Sequence, residues 1–238
     1  MHIQEEKIVL DIEVPEGDVS KDMDVFYNPE MVHNRNVSVA VLSALMNGGT
    51  YCDVEFDSLK SWKIALPLCG SGIRGLRFLT ELEVGRIAKF YVNDKRIGFE
   101  KDFKELAAVN GVSLDLVPKE TKGQKLEGSD LDIKVFEKDA ELFLLDNRHF
   151  DYIDIDPFGS PNPFLASSIA RLTRGGVLAI TATDTAAFTG TYKSVTRRKY
   201  WSSSMYNYMK HNVGLRILIR KVQLLGAQFD KALIPILS

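Results

Sequence analysis

The residues best suited to chemistry form the run Phe150-Asp151-Tyr152-Ile153-Asp154-Ile155-Asp156-Pro157-Phe158-Gly159-Ser160-Pro161. Aromatic and β-branched residues alternate with acids as far as Asp156, which is the pattern of a strand. Pro157 has no N–H to give to a ladder and ends it. At the carboxyl end of a parallel strand the Asp156 carboxylate can accept a hydrogen bond from an exocyclic amine. The Pro157 carbonyl can accept a second, and Phe158 can stack on a flat base. The three together describe a pocket for a nucleobase amino group, with Asp156 able to take up a proton. Asp154 reads as a charge on the strand's other face.

A second constellation is Cys69-Gly70-Ser71-Gly72-Ile73-Arg74-Gly75. Glycines at Gly70 and Gly72 let a backbone approach a ligand closely, and the helix that the loop opens favours polar acceptors at its start. About twenty residues further on, Asn93-Asp94 ends the next strand, where a carboxylate can bind two ribose hydroxyls. Asp94 could equally cap a helix. Lys138-Asp139-Ala140 ends the strand after that, within reach of an adenine edge. A glycine loop and a ribose acid fit either a dinucleotide or S-adenosylmethionine. The amine-binding motif across the sheet favours the latter, because no acid/base set for hydride transfer accompanies it. There is no Gly-Lys-Ser/Thr phosphate loop either. The four histidines, His2, His33, His149 and His211, are isolated and read as structural or surface residues.

Alternating strands and helices must position these groups. Ile3 to Val14 alternates as a strand or hairpin, and Met31 to Met46 has helical spacing up to Asn47-Gly48-Gly49. Strands are expected at 63–68, 88–92, 132–136, 150–155 and 177–183, with helices at 73–83, 96–110, 140–146 and 164–172. Gly175-Gly176 reads as a turn and 112–130 as a loop. A long helix lies within 205–227, and a sixth strand is expected at 229–237. Repeated β-α units imply a mostly parallel sheet with helices on both faces. Residues 1–50 read as an amino-terminal extension and 51–238 as the core. A strand ending at Ser238 would lack its usual neighbour, so the sequence reads as part of a longer chain.

The 238 residues are 45% hydrophobic and 26% charged, enough for one well-buried α/β domain. No apolar run could span a bilayer, and the amino terminus has no signal-peptide core. Cys52 and Cys69 are unclustered, so no zinc site is expected, and a reduced, cytoplasmic setting fits. The net charge is only −2, but no acid falls between Asp184 and Asp230. Lys193, Arg197, Arg198 and Lys199, interleaved with Tyr192, Tyr200 and Trp201, read as phosphate contacts. Arg216, Arg220 and Lys221 read as a solvated helix face.

These motifs together resemble the tRNA guanine-26 N2-dimethyltransferases. Asp24-Val25-Phe26-Tyr27-Asn28-Pro29 with Asn34-Arg35 is similar to the amino-terminal signature of that family, and Ser71-Gly72-Ile73-Arg74 to its cofactor loop. Asp156–Pro161 and Thr181-Ala182-Thr183-Asp184-Thr185-Ala186 resemble its two pocket signatures, and Gly214–Ile219 a late helix. The resemblance implies a class I, Rossmann-like methyltransferase fold. It also implies transfer of one or two methyl groups from S-adenosylmethionine to the exocyclic amine of a tRNA guanosine. Arg35, Arg74, Asp94, Asp139 and Ala140 would then contact the cofactor. Asp156 would be the catalytic group, with Phe158 against the base, Phe26 closing over it, and Asn28 and Asp184 beside it. Leu66 stands where the family usually has an acid, and nothing here matches the family's carboxyl-terminal tRNA-gripping domain. The alternatives are another exocyclic-amine methyltransferase, acting on adenine or protein glutamine, and a non-catalytic RNA-binding relative. A dehydrogenase ranks behind both.

Overall fold

The computed structural model describes residues 2–11, 27–114 and 131–238. Phe26 and most of the expected 112–130 loop lie outside them. The chain opens with an antiparallel hairpin of β1 (His2–Glu5) and β2 (Ile8–Asp11). A 3-10 turn at Pro29–Met31 leads into α1 (Val32–Met46), and a second hairpin pairs β3 (Gly49–Tyr51) with β4 (Val54–Phe56). The alternating array follows: β5 (Trp62–Leu66), α2 (Ile73–Glu81), β6 (Ile87–Asn93), α3 (Phe99–Val109), β7 (Asp132–Phe136), α4 (Ala140–Asp146), β8 (Phe150–Ile155), α5 (Asn162–Arg171) and β9 (Leu172–Ile180). Two helices, α6 (Lys193–Tyr200) and α7 (Lys210–Ala227), complete it.

The five strands of the array form one parallel sheet in the order β7-β6-β5-β8-β9. The order reverses between β5 and β8, so the loops after those two strands diverge and leave a crevice at the carboxyl edge. In open α/β sheets such a switch point is where ligands bind. Side-chain alternation separates the two faces. Ile64, Leu66, Phe90, Val92 and Tyr152 pack into one cluster with Phe78 and Phe103, and Ala65, Tyr91, Ile153 and Ile155 into another with Phe143 and Leu144. Strand β8 is buried along its whole length, which is why it reads as apolar on both faces apart from its acids.

Two expectations are corrected. Residues 229–237 form no strand. After α7 the chain turns at Asp230 (φ +54°) and runs along α5, where Lys231 Nζ donates to the carbonyls of Ile169 (2.5 Å) and Leu172 (2.7 Å). Leu233 fills the space between α5 and α7, so the segment packs on helices instead of extending the sheet. The Gly175-Gly176 turn lies inside β9, which begins five residues earlier than 177, and its pairing with β8 is irregular between Phe150 and Tyr152.

Candidate active site

Strand β5 delivers the glycine loop. Gly70 (φ +59°) and Gly72 (φ +86°) both have left-handed backbones. A Cβ on Gly72 would lie 2.6 Å from Phe103 Cδ2 of α3, so the loop's close turn requires the missing side chain. Helix α2 approaches the sheet so closely that a Cβ on Gly75 would meet Val92 and Leu66 at 3.3 and 3.4 Å. Leu66 is itself buried at the end of β5.

Strand β6 delivers Asp94 beside this loop. Its Oδ2 accepts from the Gly70 N–H (2.8 Å) and its Oδ1 from the Arg96 N–H (3.0 Å). It does not cap α3, whose N-cap is Gly98. Asp139 does cap one, with Oδ1 accepting from the Glu141 and Leu142 N–H groups at the start of α4, and Ala140 is buried behind it. Asn93, which the sequence showed only as a neighbour of Asp94, is fully buried. It donates to the Pro67 and Lys138 carbonyls (2.9 and 3.0 Å) and accepts from the Lys138 N–H (3.1 Å). One amide thus ties the ends of β5, β6 and β7 together.

The motif after β8 meets Arg74 of α2. The guanidinium bonds Asp156 Oδ2 (2.6 Å), Asn34 Oδ1 (2.7 Å) and Ser38 Oγ (2.7 Å), and lies 3.4 Å from Asp154 Oδ2. Asp154 therefore shares a face with Asp156, as two residues an even number apart on a strand must; the expected placement on the other face is wrong. The Asp154 side chain is 2% exposed, and that of Asp156 23%. Tyr152 Oη donates to Asp154 Oδ2 (3.0 Å), which makes a buried line Tyr152–Asp154–Arg74–Asp156. Burial pushes the Asp154 carboxyl up, although Arg74 opposes the shift. Burial acts against the Arg74 charge, but Asp154 and then Asp156 outweigh it and raise its pKa. Burial also pushes the Cys69 thiol far up, so this cysteine beside the loop is no nucleophile.

Phe158 is half exposed at the crevice. Gly159 (φ +83°) turns the chain there, and its N–H donates to Thr183 Oγ1 (2.9 Å) while its carbonyl accepts from the Thr183 and Asp184 N–H groups. The two pocket signatures are thereby laced together, with Asp184 beside the turn and no side-chain cap on the 3-10 turn after it. Ser160 Oγ bonds the buried Tyr200 hydroxyl (2.8 Å), which fixes α6 against the same loop. Lys193, Arg197, Arg198 and Lys199 of α6 are all exposed.

Arg35 and Asn28 are placed differently. Arg35 is buried in a bidentate pair with Glu5 (2.7 and 2.5 Å), over the Tyr27 ring, so its guanidinium is engaged by a carboxylate of β1. Arg77 joins the same carboxylate (3.0 Å) and Tyr27 Oη donates to it (3.1 Å). Burial would raise the Glu5 carboxyl, but Arg35, with Arg77 and Tyr27, holds it below its usual value. Asn28 caps the 3-10 turn through the Glu30 N–H (2.9 Å). Lys221 is corrected: it is buried, its ammonium 3.0 Å from the centre of the Trp201 ring, whereas Arg216 and Arg220 are exposed.

The N2,N2-dimethylguanosine tRNA methyltransferase family model matches residues 2–238. The chain belongs to that family. It is 38% identical over 228 residues to the tRNA (guanine(26)-N(2)/guanine(27)-N(2))-dimethyltransferase of Aquifex aeolicus, covering 95% of this chain and 51% of that protein. It is 35% identical to the tRNA (guanine(26)-N(2))-dimethyltransferase of Methanocaldococcus jannaschii, over 99% of this chain and 57% of the relative. Trm1 from Pyrococcus horikoshii, solved with S-adenosyl-L-methionine, superposes with a TM-score of 0.73 at 30% identity, over 97% of this chain and 55% of that one. The fold is accordingly the class I, Rossmann-like methyltransferase fold. The chain spans about half the length of the curated relatives it matches. Among the described residues no helix is long and apolar enough to cross a membrane, and no group of three His, Cys, Asp or Glu side chains could hold a metal ion.

Proposed function

We propose that this chain carries the methyl-transfer site of a cytoplasmic tRNA methyltransferase. It would place one or two methyl groups from S-adenosyl-L-methionine on the exocyclic N2 amine of guanosine 26. The observation that carries the reading is Asp156, ion-paired through Oδ2 to Arg74, at the switch point beside the half-exposed Phe158.

The loop residues fit the cofactor. Gly70 and Gly72 provide the close backbone approach, and Asp94 presents a carboxylate to a ribose diol. Asp139 keeps Oδ2 for an adenine amine while Oδ1 caps α4. Ala140 would lie under the base, and Arg74 would stand between cofactor and substrate. Arg35 would act on this pocket by fixing the hairpin and α1. The cofactor, when bound, supplies an electrophilic methyl group.

The guanine amine is a poor nucleophile because its lone pair is delocalised into the ring. Arg74 engages Asp156 Oδ2, and Oδ1 makes no hydrogen bond among the described residues. That oxygen accepts one amine N–H and the Pro157 carbonyl the other, which localises the lone pair and aims it at the incoming methyl. Orientation of this kind carries much of the acceleration, and Asp156 takes the proton released as the new C–N bond forms. Phe158 stacks on the guanine once it has left its helix stack. Asp184 would border the base, and Lys193, Arg197, Arg198 and Lys199 would hold the backbone. Residues 1–50 would serve as an extension to the 51–238 core.

The test is methyl transfer from labelled S-adenosyl-L-methionine to unmodified tRNA transcripts with guanosine or adenosine at position 26. Label confined to the guanosine transcript is expected, and Asp156→Ala should reduce it by about 10²–10⁴-fold while cofactor binding persists. Full transfer by Asp156→Ala would remove the proposed role.

A further inference from the structure

A cleft of about 340 Å³ opens next to the substrate loop, lined by Ser160, Asn162, Pro163, Lys199 and Lys221. It lies where the start of α5 meets the end of α6 and the middle of α7. Lys221 is 6% exposed, yet among the described residues no carboxylate pairs with it, and burial alone lowers its pKa. Its ammonium rests on the Trp201 ring, whose carbonyl is held by Arg220 (3.0 Å). An ammonium taken out of water without a counter-ion is costly, and a ring face offsets only part of that cost. In the same cleft the Asn162 amide donates weakly to the Lys199 carbonyl (3.4 Å), while its buried Oδ1 has no hydrogen-bond partner among the described residues. Two cations, a helix start and an unsatisfied acceptor form a site that is completed by an anion bearing a hydroxyl donor.

We infer that this cleft binds a backbone phosphate and its ribose in the RNA strand, close to the methylated guanosine, with Lys221 as the buried anchor. Ser160 is four residues beyond Asp156 and bonded to Tyr200, so the cleft shares a wall with the base pocket. The inference rests on the RNA reading above and adds a site to it. Lys199 faces solvent and recruits the strand; Lys221 is pre-oriented and fixes the register between phosphate and base.

The experiment is binding of an unmodified tRNA transcript across a potassium chloride series. The proteins are the wild-type chain, Lys221→Met, Lys221→Arg and Asn162→Asp, with cofactor affinity measured for each as a folding control. Losing one phosphate contact should flatten the slope of log K against log salt by about 0.7–0.9. That change is expected for Lys221→Met and, through a carboxylate placed beside the lysines, for Asn162→Asp. Lys221→Arg should keep the wild-type slope. An unchanged slope in folded Lys221→Met overturns the site. Should that variant not fold, an unchanged slope in Asn162→Asp overturns it equally. Inorganic phosphate, compared with chloride at equal ionic strength, tests the anion itself: competition confined to proteins retaining Lys221 supports the phosphate site, and equal competition in Lys221→Met overturns it. A flattened slope without methyl transfer to guanosine 26 would keep the site and remove the enzymatic reading. Methyl transfer with an unchanged slope would do the reverse.

Discussion

Replacing Arg74 by methionine separates Asp154 of β8 and Asp156 just after it from their shared cation. The guanidinium lies 3.4 Å from Asp154 Oδ2, and at an effective dielectric of about 20 that contact alone is worth roughly 5 kcal/mol. Asp154 cannot turn to water, since its side chain is 2% exposed, and without Arg74 it is left with neutral hydroxyls, those of Tyr152 and Ser38. Breaking a buried pair on one side costs about 3–5 kcal/mol, which for a chain of this size lowers Tm by roughly 6–20 °C. The pH dependence has a definite sign. Burial already raises the Asp154 carboxyl above its ordinary value, and Arg74 is the largest opposing influence. Without Arg74 the folded-state pKa climbs further. A carboxyl with a raised folded pKa supports the fold fully below its unfolded pKa and loses that support as pH rises through the folded value. The deficit of Arg74→Met should therefore be small near pH 5 and grow toward pH 8, which urea unfolding at the two values would measure. Adding Asp154→Asn should restore most of the loss. Asp156→Asn should restore less, because Asp156 is 23% exposed and can be hydrated. An equal deficit at both pH values, with no rescue by Asp154→Asn, would refute the assignment of the cost to a stranded Asp154.

Gly72→Ala forces a side chain onto a backbone with φ +86° and into Phe103 at 2.6 Å. About 1–3 kcal/mol of strain should appear as a lower Tm and at least a tenfold fall in cofactor affinity by calorimetry. Gly98→Ala, with φ +85° and open space, should cost strain alone and leave cofactor affinity intact. Asn93→Ala strands the Pro67 and Lys138 groups it bonds and should cost about 2–4 kcal/mol. Hydrogen exchange at the Lys138 amide should rise with it. Tyr200→Phe removes the bond to Ser160 (2.8 Å). A several-fold rise in KM for tRNA with kcat maintained is the expected outcome in steady-state methyl transfer.

What the sequence could show follows from where each constraint originates. Strands β7 and β8 and helix α4 coincide with their expected ranges because each is a short apolar run closed by its own punctuation. Asp139 caps α4, and Pro157 ends β8. The β3–β4 hairpin carried no such signal. Its turn places Cys52 (φ +49°) and Asp53 (φ +63°) in the left-handed region usually marked by Asn-Gly. Helix α6 was missed because Lys193–Tyr200 has charges with little apolar period, and what orders it is tertiary: the Tyr200 hydroxyl on Ser160, and Thr196 bonded to the Ala187 carbonyl. Asp154 could have been placed correctly by parity alone. Lys221 could not, because nothing local distinguishes it from Arg220 one position away; only the position of Trp201 decides which of the two is covered.

The same distinction explains how the site holds together. Each motif is local, but the groups that face one another across the crevice are joined by contacts between strands that are distant in sequence. Asp94 closes on Gly70, Arg74 on Asp156, Gly159 on Thr183, and Ser160 on Tyr200. These four links run from the loop after β6, through those after β5, β8 and β9, to α6, and every one joins adjacent elements at the carboxyl edge. Of the four, Arg74–Asp156 spans the switch point, where the loops after β5 and β8 part and, among the described residues, no backbone hydrogen bond joins them. A side chain must do so there. A buried arginine, with five donors in a fixed fork, holds Asn34 and Ser38 of α1 together with Asp154 of β8 and Asp156 just beyond it, which a lysine could not do in one geometry. Arg74→Lys should accordingly keep the charge and the stability at pH 7 better than Arg74→Met. It should still lose methyl transfer, because Asp156 would no longer be held with one oxygen occupied and the other turned to the amine.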